Sequence, residues 1–325
     1  MKRLAIVIAY VLLSLTAVAG AFSLMALTSS TAYAHGNDRD SDSDSDRDGG
    51  RSVNETRPAK PDGEVRVDNL AGTVRVEGWD KNEVRVSGNL GDQVEKLEIT
   101  GDESSISIRV ILPHHTRSQD CDECADLQIN VPKGSRLEVS TVSADVEASN
   151  VTGPQELGTV SGGITLNSAS GRIEVKTVSG DVTVVGSAKN AQVSGNSVSG
   201  QVHISNVDGS VQAESVSGDV KLSASRLTGV KMSATSGNLM FQGTLAKGGD
   251  YDFNNVSGDV QIAVGTNPSA RFDLSSFSGG IDNSFGPKPT RVSKYSPGME
   301  LRFTNGAADA EVNAQTMSGD IHLQN

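Results

Sequence analysis

Aromatic residues are scarce in this chain. Only 4% of its 325 residues are Phe, Trp or Tyr, with a single Trp, whereas Gly reaches 35 residues against 9 Pro. A globular core of this size ordinarily draws on aromatic side chains, because each of them buries a large area. The composition therefore favours a narrow repeat structure, whose interior is filled by small aliphatic side chains and whose corners need Gly.

Basic residues are too few to balance the acidic ones. Lys and Arg number 28 against 40 Asp and Glu, which gives a formal net charge of −12. A chain this acidic repels the phosphates of nucleic acids and the surface of anionic membranes. We therefore expect no nucleic-acid partner, and no pattern in the sequence calls for a cofactor.

Long apolar runs are confined to the N-terminus. Two basic residues precede a mostly apolar stretch over residues 4–27, and the triplet A-Y-A follows at 32–34. This order predicts a secretory signal peptide over residues 1–34, with an uncleaved membrane anchor as the alternative. No later stretch is apolar enough to cross a bilayer, so we expect an exported protein that is periplasmic or extracellular, for example at the cell surface.

The next segment, residues 35–61, is predicted to be a disordered acidic linker. Its run of alternating Asp and Ser offers nothing apolar to bury and cannot offset the entropy of ordering. The D-x-D-x-D-G spacing followed by Glu matches the template of a calcium-binding loop. Such spacing also arises by chance in an Asp-Ser run, so a solvated charge run is the alternative. The candidate calcium ligands are Asp44, Asp46, Asp48 and Glu55.

Residues 62–135 alternate between apolar and polar residues with a period of two. Clear examples are E-V-R-V at 64–67 and S-I-S-I-R-V at 105–110. This alternation is typical of half-buried strands, and Gly and Pro residues punctuate it. We predict a small N-terminal β-sheet region over this segment.

The remaining residues, 136–325, repeat a V-S-G-D-V unit. Its glycine recurs about every 18–21 residues, with one final interval of about twice that length. Weaker copies lie midway, so each period holds two units of strand plus turn. The glycines predicted at repeat turns are Gly162, Gly180, Gly200, Gly218, Gly237, Gly258, Gly279 and Gly319.

A solenoid follows from how this unit can bury its valines. Val178, Val182 and Val184 share one parity and are expected to point inward, with the polar residues between them in solvent. One unit cannot bury its valine face alone, so stacked units must share a core. The predicted fold is an all-β solenoid of short strands. Its recurring aspartates are interpreted as turn formers.

The C-terminus ends in a strand pattern without a cap, I-H-L-Q-N at 321–325. An open solenoid end exposes unpaired backbone groups and invites edge pairing. We expect this end to be covered by a hairpin around residues 302–305 or by another molecule. In the second case, copies would self-associate through the C-terminal strand.

Cys121 and Cys124 enclose only two residues. In an oxidising compartment such a pair usually forms a disulfide. With His114 and His115, the segment holds two His and two Cys within eleven residues, a donor set suited to zinc or copper. A redox-active C-x-x-C motif is the third interpretation.

Several features together resemble a known family. They are the signal peptide, the G-W-D turn at 78–80, the V-P-K-G segment at 131–134 and the serial V-S-G-D-V copies. They are similar to the bacterial β-strand-repeat domain of unknown function, often labelled a putative adhesin. The resemblance spans roughly residues 62–325 and implies surface contact without a catalytic residue set.

We therefore expect a non-catalytic envelope protein with a structural or binding role. Its partner would be an unknown protein or polysaccharide of the envelope or cell surface. One alternative is a carbohydrate-active enzyme on a β-helix, which would need clustered carboxylates. The other is a periplasmic metal or stress accessory protein that uses the Cys121–Cys124 loop.

Overall fold

The structure is a computed structural model that describes residues 50–113, 124–187, 190–293 and 297–325, except for the side chains of residues 168 and 169. Every regular secondary-structure element within these ranges is a β-strand, so the all-β prediction is confirmed for the described part of the chain. The described residues accordingly contain no helix with the length and hydrophobicity that a membrane crossing requires.

The strands fall into three groups along the chain. The N-terminal strands are β1 (Arg51–Pro58), β2 (Glu64–Trp79), β3 (Glu83–Leu90), β4 (Lys96–Asp102), β5 (Ser105–Ile111), β6 (Ala125–Pro132) and β7 (Arg136–Ser149). The repeat strands are β8 (Gln155–Thr159), β9 (Ile164–Ala169), β10 (Arg172–Thr177), β11 (Val182–Gly186), β12 (Ala191–Ser197), β13 (Val202–Ser205), β14 (Asp208–Ser215), β15 (Val220–Ser236), β16 (Leu239–Ser257) and β17 (Val260–Ala263). The C-terminal strands are β18 (Ala270–Ser276), β19 (Ile281–Asn283), β20 (Thr290–Arg291), β21 (Met299–Asn305), β22 (Ala310–Ser318) and β23 (Ile321–Gln324).

Parallel pairing arranges these strands into two faces. The front face runs through the first half of β2, the first half of β7, β8, β10, β12, β14, the second halves of β15 and β16, β22 and β18. The back face runs through the second halves of β2 and β7, β9, β11, β13, the first halves of β15 and β16, β17, β23 and β19. Each coil of the stack therefore contributes one strand to each face.

The core lies between the two faces. Ile173 and Val175 on the front face are buried, as are Val182 and Val184 on the back face. The prediction that Val178 also points inward is wrong, because Val178 is only half-buried and Thr177 is buried in its place. The alternation of a strand does not continue through the corner between the faces, so parity cannot be carried across it.

The N-terminal strands are continuous with the repeat stack. β2 pairs in parallel with β7 over Glu64–Glu77, and residues 50–325 form a single compact unit. Two antiparallel groups close this end: β4 pairs with β5, and β1 pairs with β3, which pairs with β6. These pairings occupy strand edges that would otherwise be open.

Part of the predicted linker is ordered. Residues 51–58 form β1, so the expectation of disorder up to residue 61 is corrected there. The strand is exposed over almost its whole length, and its pairing with β3 holds it through the backbone. A period-two pattern does not predict this strand, because it has almost no buried side chains. The rest of the predicted linker before Gly50, with the predicted signal peptide, lies outside the described residues.

The C-terminal end is not the open edge that the sequence suggests. β22 pairs with β16 on one side and β18 on the other, and β23 pairs with β17 and β19. The last coil of the sequence therefore lies inside the stack. The coil of β18 and β19 is the outer one, and the predicted hairpin covers its β18 edge: β21 pairs antiparallel with β18, and β20 with β21. Edge pairing through β23 is excluded because both of its edges are occupied.

Candidate functional site

The corner that carries V-S-G-D, here called the V-S-G-D corner, stacks glycine against glycine. A Cβ placed on Gly180 would lie 1.8 Å from the carbonyl oxygen of Gly162, and one on Gly200 would lie 1.9 Å from that of Gly180. No side chain fits at such distances, so sterics alone require glycine. A Cβ would come within 2.0–2.3 Å of a backbone oxygen of the neighbouring coil at the other repeat positions, namely Gly162, Gly218, Gly237, Gly258, Gly279 and Gly319.

A column of buried polar side chains supports the same corner. Ser197 Oγ donates to the carbonyl oxygen of Gly180 at 3.1 Å, and Ser276 Oγ donates to that of Gly319 at 3.0 Å. The residue three positions before the glycine thus satisfies the glycine carbonyl of the coil beneath it. In the sequence, this polar residue is visible as the Ser, Thr or Asn that precedes most V-S-G triplets. The sequence does not reveal which carbonyl oxygen accepts its hydrogen bond, because the acceptor belongs to another coil.

The repeat aspartates also bind one coil to the next. Asp181 Oδ1 accepts from the backbone N–H of Gln201 at 2.8 Å, and Asp145 Oδ1 accepts from that of Gly163 at 2.8 Å. An oxygen of each carboxylate therefore accepts a hydrogen bond from the backbone of the neighbouring coil, so these aspartates join coils at the corner in addition to suiting its turn. The same arrangement recurs at Asp219, Asp259 and Asp320.

The outer rim of this corner presents an apolar column beside an exposed serine column. The first valine of each unit is half-buried, as at Val160, Val178 and Val198. The backbone N–H of Ser179 donates to the carbonyl oxygen of Val160 at 2.8 Å, so the units stack in register. At one end of the column, Phe277 is 63% exposed. This rim is one candidate contact surface.

A polar groove on the outer side of the front face is the second candidate. It has a volume of about 610 Å³ and crosses β10, β12, β14, β15 and β16. Its floor contains Ser194, Ser210 and Gly229, whose short or absent side chains leave a depression between longer neighbours. The longer lining side chains are those of Arg172, Glu174, Gln192, Gln212, Lys231, Asp250 and Asp252.

Strand register aligns the groove side chains in rows. One row has Cα partners in the order Glu174, Ser194, Gln212, Lys231 and Asp252. Neighbouring parallel strands lie about 4.8 Å apart, so such a row offers a polar group at each step of that length. The groove is therefore a regular one-dimensional array of hydrogen-bonding groups.

Charges of both signs border the groove. Lys176 Nζ lies 2.5 Å from Glu174 Oε1, and Gln212 Nε2 donates to Glu214 Oε1 at 3.0 Å. Burial raises the pKa of Asp252, and the nearby negative charge of Asp250 raises it further. A hydrogen bond with Asn313 and the charge of Lys231 oppose this rise in pKa. Ionisation of Asp252 is thus less favourable in the groove than it is in water.

The two N-terminal motifs of the sequence meet in space. Trp79 is the Cα partner of Pro132, and the backbone N–H of Lys133 donates to the carbonyl oxygen of Trp79 at 3.0 Å. Lys133 Nζ lies 2.9 Å from Asp80 Oδ2. Trp79 Nε1 donates to the carbonyl oxygen of Glu83 at 2.8 Å. The G-W-D and V-P-K-G segments therefore form one turn structure next to the start of the stack.

Comparison with protein families decides the classification. The family described as Toastrack DUF4097 matches residues 62–324, which is most of the chain. The chain belongs to the Toastrack DUF4097 family. The family resemblance inferred from the repeats is thereby confirmed. No curated protein matches the sequence.

Solved structures similar to this Toastrack chain include two putative adhesins. The one from Bacteroides fragilis has 11% sequence identity and a TM-score of 0.41, and covers 84% of this chain and 97% of its own. The one from Parabacteroides distasonis has 10% identity and a TM-score of 0.37, and covers 85% and 98%. A putative lipid binding protein from Parabacteroides distasonis has 13% identity and a TM-score of 0.43, and covers 84% and 97%.

The sequence-predicted site residues of this Toastrack chain are only partly within the described ranges. Cys124 is fully buried and disulfide-bonded. A disulfide at Cys124 leaves no thiolate there for a metal ion. Cys121, His114 and His115 lie outside the described residues, so their roles stay predictions.

The residues of the predicted calcium loop also lie only partly within the described ranges. Asp44, Asp46 and Asp48 lie outside the described residues. Glu55 is an exposed residue of β1, and its Oε2 lies 3.5 Å from Arg57 Nη2. Among the described residues, no group of three or more His, Cys, Asp and Glu side chains is arranged to hold a metal ion.

Proposed function

We propose that the protein is a non-catalytic binding module exported to the cell envelope, where its front-face groove holds an extended, hydroxyl-rich polymer such as a polysaccharide. The observation that carries this proposal is the row of polar side chains on successive parallel strands. Five strands line the groove, and four spacings between them correspond to about 19 Å. A site of that length suits several consecutive units of a chain better than one small molecule.

The chemistry of the groove suits a polymer with many hydroxyl groups. Amides such as those of Gln192 and Gln212 both donate and accept, and the hydroxyls of Ser194 and Ser210 do the same. A sugar hydroxyl can use either kind of partner. The mixed charges at the border of the groove favour a neutral or zwitterionic polymer over a strongly anionic one.

Export rests on the sequence and on one structural feature. The predicted signal peptide over residues 1–34 directs the chain across the inner membrane. The disulfide at Cys124 suits an oxidising compartment, since disulfides rarely persist in the cytosol. The proposal places the mature protein in the periplasm or at the cell surface.

A non-catalytic role fits the way the repeat carboxylates are used. Those of Asp145, Asp181 and Asp219 accept hydrogen bonds from the backbone of the next coil, which leaves them serving the stack. Their spread over separate coils also differs from the paired carboxylates that glycan hydrolysis requires.

Glycan cleavage is a second candidate, favoured by one observation. Asp250 and Asp252 lie on the same side of β16, and the pKa of Asp252 is raised. Glycoside hydrolysis usually employs a pair of carboxyl groups, one of which acts as general acid with a raised pKa. Incubating the protein with oligosaccharides and analysing the products separates the two functions, and we expect no cleavage.

Binding is tested with soluble glycan strands from peptidoglycan and with neutral dextran, using isothermal titration. The double variant Gln192→Ala/Gln212→Ala removes two amides from the groove. Loss of two hydrogen bonds at about 1 kcal/mol each should weaken binding by about tenfold or more. The matched control, Gln242→Ala/Gln261→Ala, removes two exposed amides from the back face and should leave the affinity unchanged.

Two results would contradict the groove proposal. One is an equal loss of affinity in the groove variant and the back-face variant. The other is the absence of binding to either polymer by the unmodified protein. A loss caused instead by Phe277→Ala would move the binding surface to the rim of the V-S-G-D corner.

A further inference from the structure

The coil formed by β22 and β23, here called the inserted coil, occupies a slot between two coils that precede it in the sequence. On the front face, Val312 is the Cα partner of both Tyr251 and Phe272. On the back face, Ile321 is the partner of both Val260 and Ile281. Without the inserted coil, both neighbouring coils would expose a strand edge.

The slot is shaped for one kind of occupant. Val312, Ala314, Ile321 and Leu323 of the inserted coil are all fully buried. At the corner of the inserted coil, a Cβ on Gly319 would lie 2.0 Å from the carbonyl oxygen of Gly258. An occupant must therefore combine an alternating apolar pattern, two parallel strands and a glycine at one defined position. A V-S-G-D-V-type coil from this same chain meets these requirements.

The inserted coil is joined to the strand before it by only four residues, 306–309. Gly306 and Ala308 in this connection have φ values of 66° and 58°. The left-handed region costs a non-glycine residue such as Ala308 about 1 kcal/mol. A short, strained connection favours an open conformation in which the connection is extended and the coil that follows it packs against another molecule.

We propose that the inserted coil exchanges between two copies of this chain. The connection over residues 306–309 opens, and each copy places its β22 and β23 into the slot of the other. Every ladder pair and buried contact of the inserted coil is reproduced, because the donor and the slot are identical in both copies. The exchange differs from edge pairing, since no strand edge of the closed molecule takes part.

The exchange gives the envelope protein a way to link two binding modules. A dimer of this kind presents two front-face grooves to one polymer, which raises the effective affinity without new contacts. The exchange itself does not depend on what the groove binds, so it stands or falls separately from the proposed function.

The test uses a pair of positions that the exchange brings together. Asn254 on β16 and Gln315 on β22 are Cα partners on adjacent parallel strands, and neither is buried. Neighbouring strands lie within the Cα separation that a disulfide spans. Full-length Asn254→Cys and Gln315→Cys variants are prepared separately, mixed, concentrated, warmed below the unfolding transition and then oxidised.

Exchange predicts a covalent heterodimer that contains a 254–315 disulfide. Non-reducing electrophoresis detects the dimer, and mass spectrometry of the digested band identifies the link. The double variant Asn254→Cys/Gln315→Cys, oxidised at low concentration, locks the inserted coil within its own molecule. Its dimer formation should be lost, and reduction should restore it.

A second measurement needs no substitution. Isotope-labelled and unlabelled unmodified chains are mixed and concentrated, and native mass spectrometry then looks for a dimer of intermediate mass. Its appearance together with the 254–315 link supports exchange. Unmodified chains that stay monomeric at the highest reachable concentration would overturn the proposal. Dimers that form equally well from the locked double variant would also overturn it, because they would need another interface.

Discussion

The two corners of each coil solve the same geometric problem in different ways. At the V-S-G-D corner, the glycine contact recurs at the eight repeat glycines, and the buried polar bond and the aspartate bond each recur in several coils. At the opposite corner, the register of the described strands shifts between Val185 and Gly186, between Gly209 and Ser210, and between Ala224 and Gly229. One corner therefore fixes the alignment of the coils, and the other absorbs the differences in their length.

The backbone reflects the same division. The left-handed non-glycine residues Asn150, Asn190 and Asn206 all lie at the opposite corner. Asn tolerates this conformation better than most residues, so single turns can be closed there without glycine. The eight repeat glycines of the V-S-G-D corner admit no such substitution, because a neighbouring backbone occupies the space of a side chain there. A repeat protein thus needs strict chemistry at only one of its two corners.

The largest expected effect comes from adding one methyl group at the V-S-G-D corner. In Gly180→Ala the new Cβ would lie 1.8 Å from the carbonyl oxygen of Gly162, so two coils must separate. We expect a loss of about 3 kcal/mol or more of unfolding free energy, or failure to fold. Urea denaturation followed by circular dichroism measures it.

The matched control for that change is Gly248→Ala at the opposite corner. No atom lies within 4 Å of the added Cβ, although φ is +74°. The left-handed backbone then accounts for a loss of about 1 kcal/mol. Equal losses from the two substitutions would show that the corners are not different in the way described above.

A middle-sized effect separates two serines of one V-S-G unit. Ser197→Ala removes the hydroxyl that donates to the carbonyl oxygen of Gly180 at 3.1 Å, inside the corner. We expect a loss of about 1 kcal/mol. Ser199→Ala changes the exposed serine two residues later and should stay within about 0.5 kcal/mol of the unmodified protein. If Ser199→Ala were the more damaging change, the buried column would not be what holds the corner.

The smallest expected effects are changes in the pH dependence of stability, which should have opposite signs in the front-face groove and at the opposite corner. Burial and Asp250 raise the pKa of Asp252. Between the ordinary aspartate pKa and the raised value, the folded protein therefore binds a proton that the unfolded chain has lost. The free energy of unfolding falls as pH rises through this range. Asp252→Asn should therefore stabilise the protein at neutral pH, and the gain should vanish as pH drops below the ordinary aspartate range.

Asp309 should respond in the opposite direction. A hydrogen bond from Ser269 lowers the pKa of Asp309, which lies in the connection at the opposite corner. Its contribution is present above the ordinary aspartate pKa and is lost as pH falls through the lowered value. Asp309→Asn should thus be slightly destabilising at neutral pH and neutral in acid. Denaturation curves over a pH series test both substitutions, and responses of the same sign would refute this assignment.

The sequence predicts the local structure of the repeat well, for identifiable reasons. Valines that alternate with polar residues give strands, and a glycine at a fixed interval gives a stacked corner. What local patterns cannot supply is the order of the coils. The copies at 256–260, 277–281 and 317–321 are nearly equivalent, so nothing in them reveals that the third lies between the first two.

The groove was beyond prediction for a related reason. Arg172 and Asp250 lie far apart in the sequence and reach one surface only after four steps of strand register. Outward-facing positions are identifiable from alternation alone, but their neighbours across strands are not. β1 was missed because backbone pairing, rather than a buried side-chain pattern, holds it.

The position of β22 and β23 also determines when the protein can finish folding. In a repeat protein each unit ordinarily packs against the units next to it in the sequence, so the stack can grow from any unit to its neighbours. Here β18 and β19 cannot reach their final places until residues 310–324 arrive between them and the earlier coils. Such distant pairings form slowly, because long loops must close first. During synthesis, the column therefore stays incomplete in its interior until residues 310–324 have emerged.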